Sequence, residues 1–526
     1  MKRALLALLV ACGGGGETVP PPTDQADLLA TLEALSAMGE KAAGTPAGAQ
    51  AADYIANRFR SLGLSDVHFE ELTFPQWKLV SKSMTITIDG VAMTPGFDVF
   101  EACGGGTITN AEIVNVETAT AGDLANKDLT GKVALVVRDP SFHRSAQFQN
   151  VTAAGAAAML YLSIAPKNLR QVGSVRFGWE DKGTIPAITV GADDGKTIKD
   201  AVVAGKTVRA TIAVDVTSTP GTGKNVVGKL VGERPEQLVL GAHFDTWFSG
   251  SSDNGSGVAE LIAIAERRKI RGKPNYTLVF VAFDGEEIGL YGGYDYLRDH
   301  DVVGKEPILA VINFESPSAN DPDIAGLVHS NQPKIDEALQ KAHLRQLYAV
   351  YAGLEVVAQL FGGIIPTDIQ GIYRGGIPTV TTAVTNPYYH TVEDTPDKVD
   401  LQLLADSTDA FDEAIGNLMK LSIADYEVVD PQVWTAEVTT SSGAMFVVDA
   451  QIHDGMGVMR GNVPATASVL YDDFMHAQTI DAMTDANGKA RFEFPLEVTT
   501  RGSGKRYVHV TAGPQYPLVE KIVALP

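Results

Sequence analysis

The stretch TLVFVAFDGEEIGLYGGYDYLRDH, residues 277–300, decides the fold. It is apolar from Leu278 to Phe283, breaks at Asp284 and Gly285, and passes into a helical pattern. A strand apolar at every position, rather than at alternate ones, is buried on both faces, so its sheet needs helices on each side. Working outward, the same unit recurs. EQLVLGAHFD (236–245) leads into a helix over 255–268, ILAVINFE (308–315) into a helical stretch over 333–347, and IPTVTTA (377–383) into a closing helix over 401–423. The expected class is α/β, a doubly wound, mixed but mostly parallel sheet. One feature of the opening stretch resists a purely structural explanation: Glu286 and Glu287 stand side by side where a buried strand ends.

The flanks are written differently. QAADYIANRFRSLGL places Ala52, Ile55, Phe59 and Leu62 on one helical face, with Gly63 as the stop. From about residue 75 short β-branched runs alternate with turns, interrupted by one helix, SAQFQNVTAAGAAA, and end at a Gly/Thr-rich join, STPGTGKN. Past residue 430 the pattern is all strand and turn, which predicts a C-terminal β-sandwich. The expected division is 1–11 signal peptide, 12–25 flexible tether, 26–74 first part of the α/β domain, 75–220 β-rich insertion, 221–425 second part, and 430–526 sandwich.

The formal net charge of −22 argues against nucleic acid or anionic lipid as partners. Of the two cysteines, Cys103 reads as a lone thiol. Cys12 closes MKRALLALLVAC, in which Lys2 and Arg3 precede an apolar run too short to span a bilayer. This resembles a bacterial lipoprotein signal. It implies an exported protein held to the cell envelope, in the outer membrane on its periplasmic or surface face, by a lipid on Cys12 alone. The Gly- and Pro-rich residues that follow are the tether.

In an open parallel sheet, functional groups gather at the carboxyl ends of the strands. His243 and Asp245 follow LVLGA, Glu286 and Glu287 follow LVFVAFDG, and Glu315 follows LAVINF. His390 comes a short loop after IPTVTTA, and Asp253 lies just before a helix. Taken singly, each has an ordinary explanation: Asp253 as a helix cap, the glutamates as solvated acids, the histidines, His143 among them, as hydrogen-bonded core or loop residues. Taken together, several carboxylates in one crevice repel unless cations neutralise them. Two imidazoles and three carboxylates suit a pair of zinc ions. His243 and Asp245, two apart on a strand, share a face, so the Asp245 carboxylate is expected to take the imidazole's other N–H. Arg374 is expected to pair with a surface acid, and Asp368 to line a specificity pocket or begin a helix.

GAHFDT with SSDNGSGVAELIAIAE, VFVAFDGEEIGLYGG, INFE and YYHTVEDTPDKVD resemble, in order, the motifs of the M28 family of zinc peptidases, which includes bacterial aminopeptidases and glutamate carboxypeptidase-like enzymes. The likeness extends to GTPAGAQAADYIANRFRSLGL. It implies a phosphorylase/zinc-peptidase-like sheet and two Zn2+, with His243, Glu287, Glu315 and His390 as terminal ligands and Asp253 as the bridge. It makes Glu286 the general base, Tyr389 a stabiliser of the oxyanion and Asp245 a supporting residue. The adjacent glutamates would then divide the work, one on the metal and one on water. Where the family more commonly has aspartate in INFE, this chain has Glu315, which implies altered metal spacing or affinity. The middle segment resembles a protease-associated (PA) domain, implying restricted access to the cleft. The activity implied is exopeptidase action on peptides, as an aminopeptidase if an acidic rim draws the substrate ammonium. The alternatives are a carboxypeptidase or dipeptidase of the family, or a non-catalytic peptidase-like binding protein.

Overall fold

The computed structural model describes residues 18–140, 142–176, 183–361, 363–427, 434–471, 476–499, 506–515 and 517–525. The expected signal peptide, Cys12 and the first part of the expected tether lie outside these residues.

Strand Tyr276–Phe283 is buried at every position. It runs parallel to Arg234–His243, which is parallel to Ile308–Asn313, which in turn is parallel to Thr379–Thr385. Ile324–His329 is antiparallel to the last of these and parallel to Val350–Gly353 at the edge. Successive side chains go to opposite faces. Leu238, Leu240, Leu278 and Phe280 pack with Ile55, Leu261 and Phe411, while Val239, Val279 and Val281 pack with Tyr291, Tyr294 and Ile372. Full burial of each such side chain contributes about 1.5–3 kcal/mol, so the sheet is held from both sides. This is the doubly wound mixed sheet expected from residues 277–300.

The insertion departs from the sequence reading in two ways. Ser65–Ile88 and Val208–Leu230 form one long antiparallel ladder, in which Pro75 faces Pro220 and Thr73 faces Thr222. The STPGTGKN join is therefore strand rather than linker. Its glycines serve close approach: a Cβ on Gly221 would stand 2.7 Å from Gln76 Cβ and 2.9 Å from Phe74 Cε2. One end of the ladder pairs with Tyr276–Phe283, and the other with Gly106–Asn115. From there Val133–Val137, Ala158–Leu162 and Ala187–Val190 continue in parallel. The second departure is a helix, Ala192–Val203, beside the expected one at Arg144–Ala153. Its buried Gly195, Ile198 and Ala201 recur at helical spacing.

The C-terminal sandwich has one sheet of Trp434–Ser442, Met445–Asp454 and Lys489–Pro495 and another of His476–Met483, Pro464–Tyr471, Arg506–Ala512 and Val519–Ala524. Phe446, Phe492, Val469 and Val508 fill the space between them. At the other end of the chain, the tether expected to run to residue 25 is already pinned. Thr23 donates its N–H and hydroxyl to Asp409, Pro21 O accepts from Arg267, and helix Gln25–Ser36 begins at once. Among the described residues no helix is long and apolar enough to cross a membrane. Cys103 is buried, with its thiol pushed up to about 12, chiefly by burial.

Candidate metal centre

The carboxyl edge of the parallel strands carries the site. His243 ends strand Arg234–His243, Glu286 and Glu287 follow Tyr276–Phe283, and Glu315 follows Ile308–Asn313. His390 sits in the loop after Thr379–Thr385 with left-handed backbone, φ +58°. Asp253 precedes helix Ser256–Arg271. Two triads result, His243–Asp253–Glu315 and Asp253–Glu287–His390, each with one donor atom per residue within 4.8 Å of the others. Asp253 belongs to both.

The donor chemistry fits zinc. His243 Nδ1 lies 3.0 Å from the Asp245 main-chain carbonyl and His390 Nδ1 3.0 Å from that of Val172. A carbonyl can only accept, so each Nδ1 carries a proton and each Nε2 is left as the ring's metal-binding nitrogen. His243 Nε2 faces Glu315 Oε1 at 3.2 Å and Asp253 Oδ1 at 3.3 Å. His390 Nε2 faces Asp253 Oδ2 at 2.9 Å and Glu287 Oε2 at 3.1 Å. His390 Nε2 and Glu287 Oε1 are buried without a hydrogen-bond partner. Ring nitrogens and carboxylate oxygens turned on one another in a buried space suit a cation, and an N/O donor set of this kind is one zinc accepts. The charges of the cluster act on one another. Burial works against a charged His243, but Glu315 and Glu286 raise it well above its ordinary value. Burial pushes Glu286 well up, against the pull of His243.

The Asp245 carboxylate does not take the imidazole proton as expected from strand alternation. The strand ends at His243, so the Asp245 carbonyl fills that role. Its carboxylate, 3.6 Å from Nδ1, instead accepts the main-chain N–H groups of Glu286 and Glu287 at 3.1 and 3.2 Å. Other supports were not singled out from sequence. Trp247 Nε1 donates to Glu287 Oε2 at 2.7 Å. Asp394, within the YYHTVEDTPDKVD motif, accepts the N–H groups of Ser252 and Asp253 at 2.9 and 3.1 Å. Thr367 Oγ1 donates to Glu315 Oε2 at 2.8 Å.

The insertion reaches the centre directly. Besides the Val172 carbonyl on His390, Val172 N–H donates to His390 O and Gln171 Nε2 to Tyr389 O, each at 3.1 Å. Tyr389 stacks on His390 with ring centroids 3.8 Å apart. Arg144 hydrogen-bonds Tyr389, and its charge acts on Glu287. His143 joins the cleft wall rather than an ordinary core setting. Its Nδ1 caps helix Arg144–Ala153, and burial with the Arg144 charge holds its pKa well below the usual value.

Two cavities adjoin the triads. One of ≈ 300 Å³ runs from Glu315 and Tyr389 between apolar Val328, Val357, Ile364 and Val384, with Phe142 contributed by the insertion. The other, ≈ 60 Å³, is lined by Glu286, Glu287, Arg144, Arg176, Gln370 and Tyr389. Asp368 is 1 % exposed and stands just before helix Gln370–Arg374, while its neighbours Pro366 and Thr367 line the larger cavity. Arg374, also 1 % exposed, pairs with buried Glu355 at 2.6 Å rather than with a surface acid.

Residues 225–415 match peptidase family M28 and residues 104–198 match the PA domain. The chain thus contains an M28-like peptidase region and a PA-domain-like region, and peptides are the substrates that the peptidase match implies. Aminopeptidase YwaD of Bacillus subtilis is 25% identical over 422 residues, 74% of this chain and 84% of that protein. "Probable lipoprotein aminopeptidase LpqL" of Mycobacterium tuberculosis is 23% identical over 359 residues, 65% of this chain and 69% of its own length. Among solved structures, BSAP, a zinc aminopeptidase from Bacillus subtilis, shares the fold with a TM-score of 0.57 at 21% identity, covering 77% of this chain and 98% of that one.

Proposed function

We propose that this protein is an exported di-zinc exopeptidase that removes residues from the N-terminus of peptides. The observation that carries the reading is the placement of Glu286. It belongs to neither triad, its Oε2 is 4.0 Å from His243 Nε2, and it lines the smaller cavity. His243, Glu287, Glu315 and His390 would hold the two ions with Asp253 between them. Zinc bound there supplies Lewis acidity, polarising a carbonyl oxygen and making water acidic enough to ionise near neutral pH. Glu286 receives the proton of the attacking water and delivers it to the leaving amine. Tyr389 stays a hydrogen-bond donor because burial, with Asp253 and the glutamates against the pull of Arg144, raises its phenol above the ordinary value. It donates to the developing oxyanion. The larger cavity receives the side chain of the cleaved residue and favours one that is large and apolar.

The aminopeptidase relatives support action at the N-terminus. A carboxypeptidase reading is favoured by one observation, the Arg144 side chain that lines the smaller cavity with Glu286 and brings positive charge toward a free carboxylate, Arg176 beside it being paired with Glu101 at 3.2 Å. Attachment through a lipid on Cys12 is supported by the sequence pattern and by the lipoprotein relative.

The test is a mass-spectrometric time course on a mixture of free, N-acetylated and C-amidated peptides. Free and C-amidated peptides should shorten from the N-terminus, N-acetylated ones should persist, and chelator should stop the reaction. Loss from the C-terminus, blocked by amidation, would select the carboxypeptidase. Intact peptides with two zinc ions bound would leave the non-catalytic binding protein.

A further inference from the structure

The C-terminal sandwich contributes nothing to the chemistry above, yet it packs against the elements that frame the cleft. Its Leu470, Tyr507 and Ile522 share one apolar cluster with Leu297, Ile372 and Tyr373 of the α/β domain. Into this contact it sends Glu520, 6 % exposed. The buried Tyr294 hydroxyl donates to Glu520 Oε2 at 2.7 Å, and His509 Nε2 stands 3.4 Å from the same oxygen. Gln370 Nε2 donates to the Tyr294 hydroxyl at 3.0 Å and lies 3.5 Å from Glu520 Oε1. Gln370 Oε1 then accepts the Ile365 N–H at 3.0 Å. One chain of buried polar contacts therefore runs from the sandwich to the 364–370 segment.

That segment serves the site twice. Ile364, Ile365 and Pro366 wall the apolar cavity, and Thr367 hydrogen-bonds Glu315. Gln370 itself lines the cavity that holds Glu286. We propose that Glu520 is a positioning residue of the active site: acting through Tyr294 and Gln370, it fixes the 364–370 wall and so governs how well a bulky apolar side chain is seated. Apolar contact alone would dock the sandwich. A buried carboxylate, by contrast, is tolerable only when fully hydrogen-bonded, and removing one member leaves the others unpaired. The strain then falls on the least regular member of the chain, the loop. This inference rests on the peptidase reading for its catalytic half but not for its structural half.

The variants are Tyr294→Phe, Glu520→Ala and Glu520→Gln in the full chain. The readouts are amide hydrogen exchange of the 364–370 peptide, with strand Arg234–His243 as internal reference, and the kcat/KM ratio for peptides with N-terminal Leu or Ala. Tyr294→Phe and Glu520→Ala should speed exchange in 364–370 about tenfold and leave the reference strand unchanged. They should lower the Leu-to-Ala ratio about tenfold, mainly through KM. Glu520→Gln keeps the acceptor for Tyr294 and should fall between these and wild type. Should Glu520→Ala fail to fold, Tyr294→Phe, which deletes one oxygen atom, decides alone. Unchanged exchange in 364–370 overturns the proposal, as does faster exchange with a ratio within twofold of wild type. A wild-type protein that cleaves no peptide refutes the peptidase reading instead. Exchange, measured without substrate, would then decide the structural half.

Discussion

The two triads that meet at Asp253 are built by different means. In the first, His243 ends a buried central strand, and its Nδ1 is held by a carbonyl two residues away. Its Glu315 is held by Thr367 of the same α/β domain. In the second, His390 lies in a loop with left-handed backbone, and its Nδ1 is held by Val172, 218 residues earlier and in the PA insertion. The first triad is a product of the sheet. The second is completed by the docking of another domain, so the insertion is a wall of the candidate centre. This asymmetry predicts that damage to the insertion will be felt at one half of the site before the other.

The largest effect should come from the residue that the two triads share. Asp253→Ala removes a donor from both, and the expected result is loss of both ions with kcat/KM down by about 10⁴-fold or more. Retention of one full equivalent of zinc by atomic absorption would mean that the triads are not coupled through Asp253. Next comes a change confined to the second triad. Trp247→Phe deletes the indole N–H that orients Glu287, and loss of such an outer hydrogen bond typically lowers metal affinity by about 10–100-fold. A chelator titration should show one ion released early and the other as in wild type. If both shift together, the two halves share one scaffold and the contrast fails.

A smaller effect isolates the insertion. Gln171→Ala removes the neutral hydrogen bond to the Tyr389 carbonyl, worth about 1 kcal/mol or roughly fivefold in a binding constant, together with one accepted from Ser163 within the insertion. The weakened ion should be the one lost early in Trp247→Phe, and Thr367→Val should weaken the other. The same chelator titration reads both, and a Gln171→Ala profile that matches Thr367→Val would contradict the assignment of Val172 and Gln171 to the second triad.

The same asymmetry explains what could be read from the amino acids alone. That His243, Asp253, Glu286, Glu287, Glu315 and His390 come together was legible because each follows or precedes a strongly patterned element, and topology fixes where strand ends go. The sandwich was legible from its strand and turn pattern. The Val172 carbonyl was not: every residue carries one, and only domain docking selects it. Asp245 was misread because two-residue alternation holds along a strand, and this strand stops at His243. Arg374 looked like a surface cation, yet its partner Glu355 and the space to bury both come from helix packing. Asp394 lay in a stretch that had been read and Trp247 just outside one, and hydrogen bonds to a neighbouring turn leave no periodic trace.

The smallest effect on activity is expected where the scaffold of the first triad is changed apart from its chemistry. Glu260 lies on helix Ser256–Arg271, which follows Asp253, and is fully buried with the Ser407 hydroxyl donating to it at 2.9 Å. Burial raises its carboxyl to about 8, against the smaller effect of Ser407. In the unfolded chain the same group loses its proton near the ordinary 4.5. Between these values the folded state binds more protons, so stability from this group is complete below pH 4.5 and is lost as pH rises through 8. The loss is at most about 1.4 kcal/mol per pH unit. Glu260→Gln carries no proton to lose. Urea unfolding of the variant and wild type should agree to within about 1 kcal/mol at pH 4.5 and diverge steadily in favour of the variant toward pH 8. Zinc content and kcat should not change, because Glu260 belongs to neither triad. A pH-independent difference would mean that Glu260 is already ionised in the folded protein. A loss of zinc would mean that the helix and the triad it follows are not separable, and that the sheet-built half of the centre is no more self-sufficient than the half completed by the insertion.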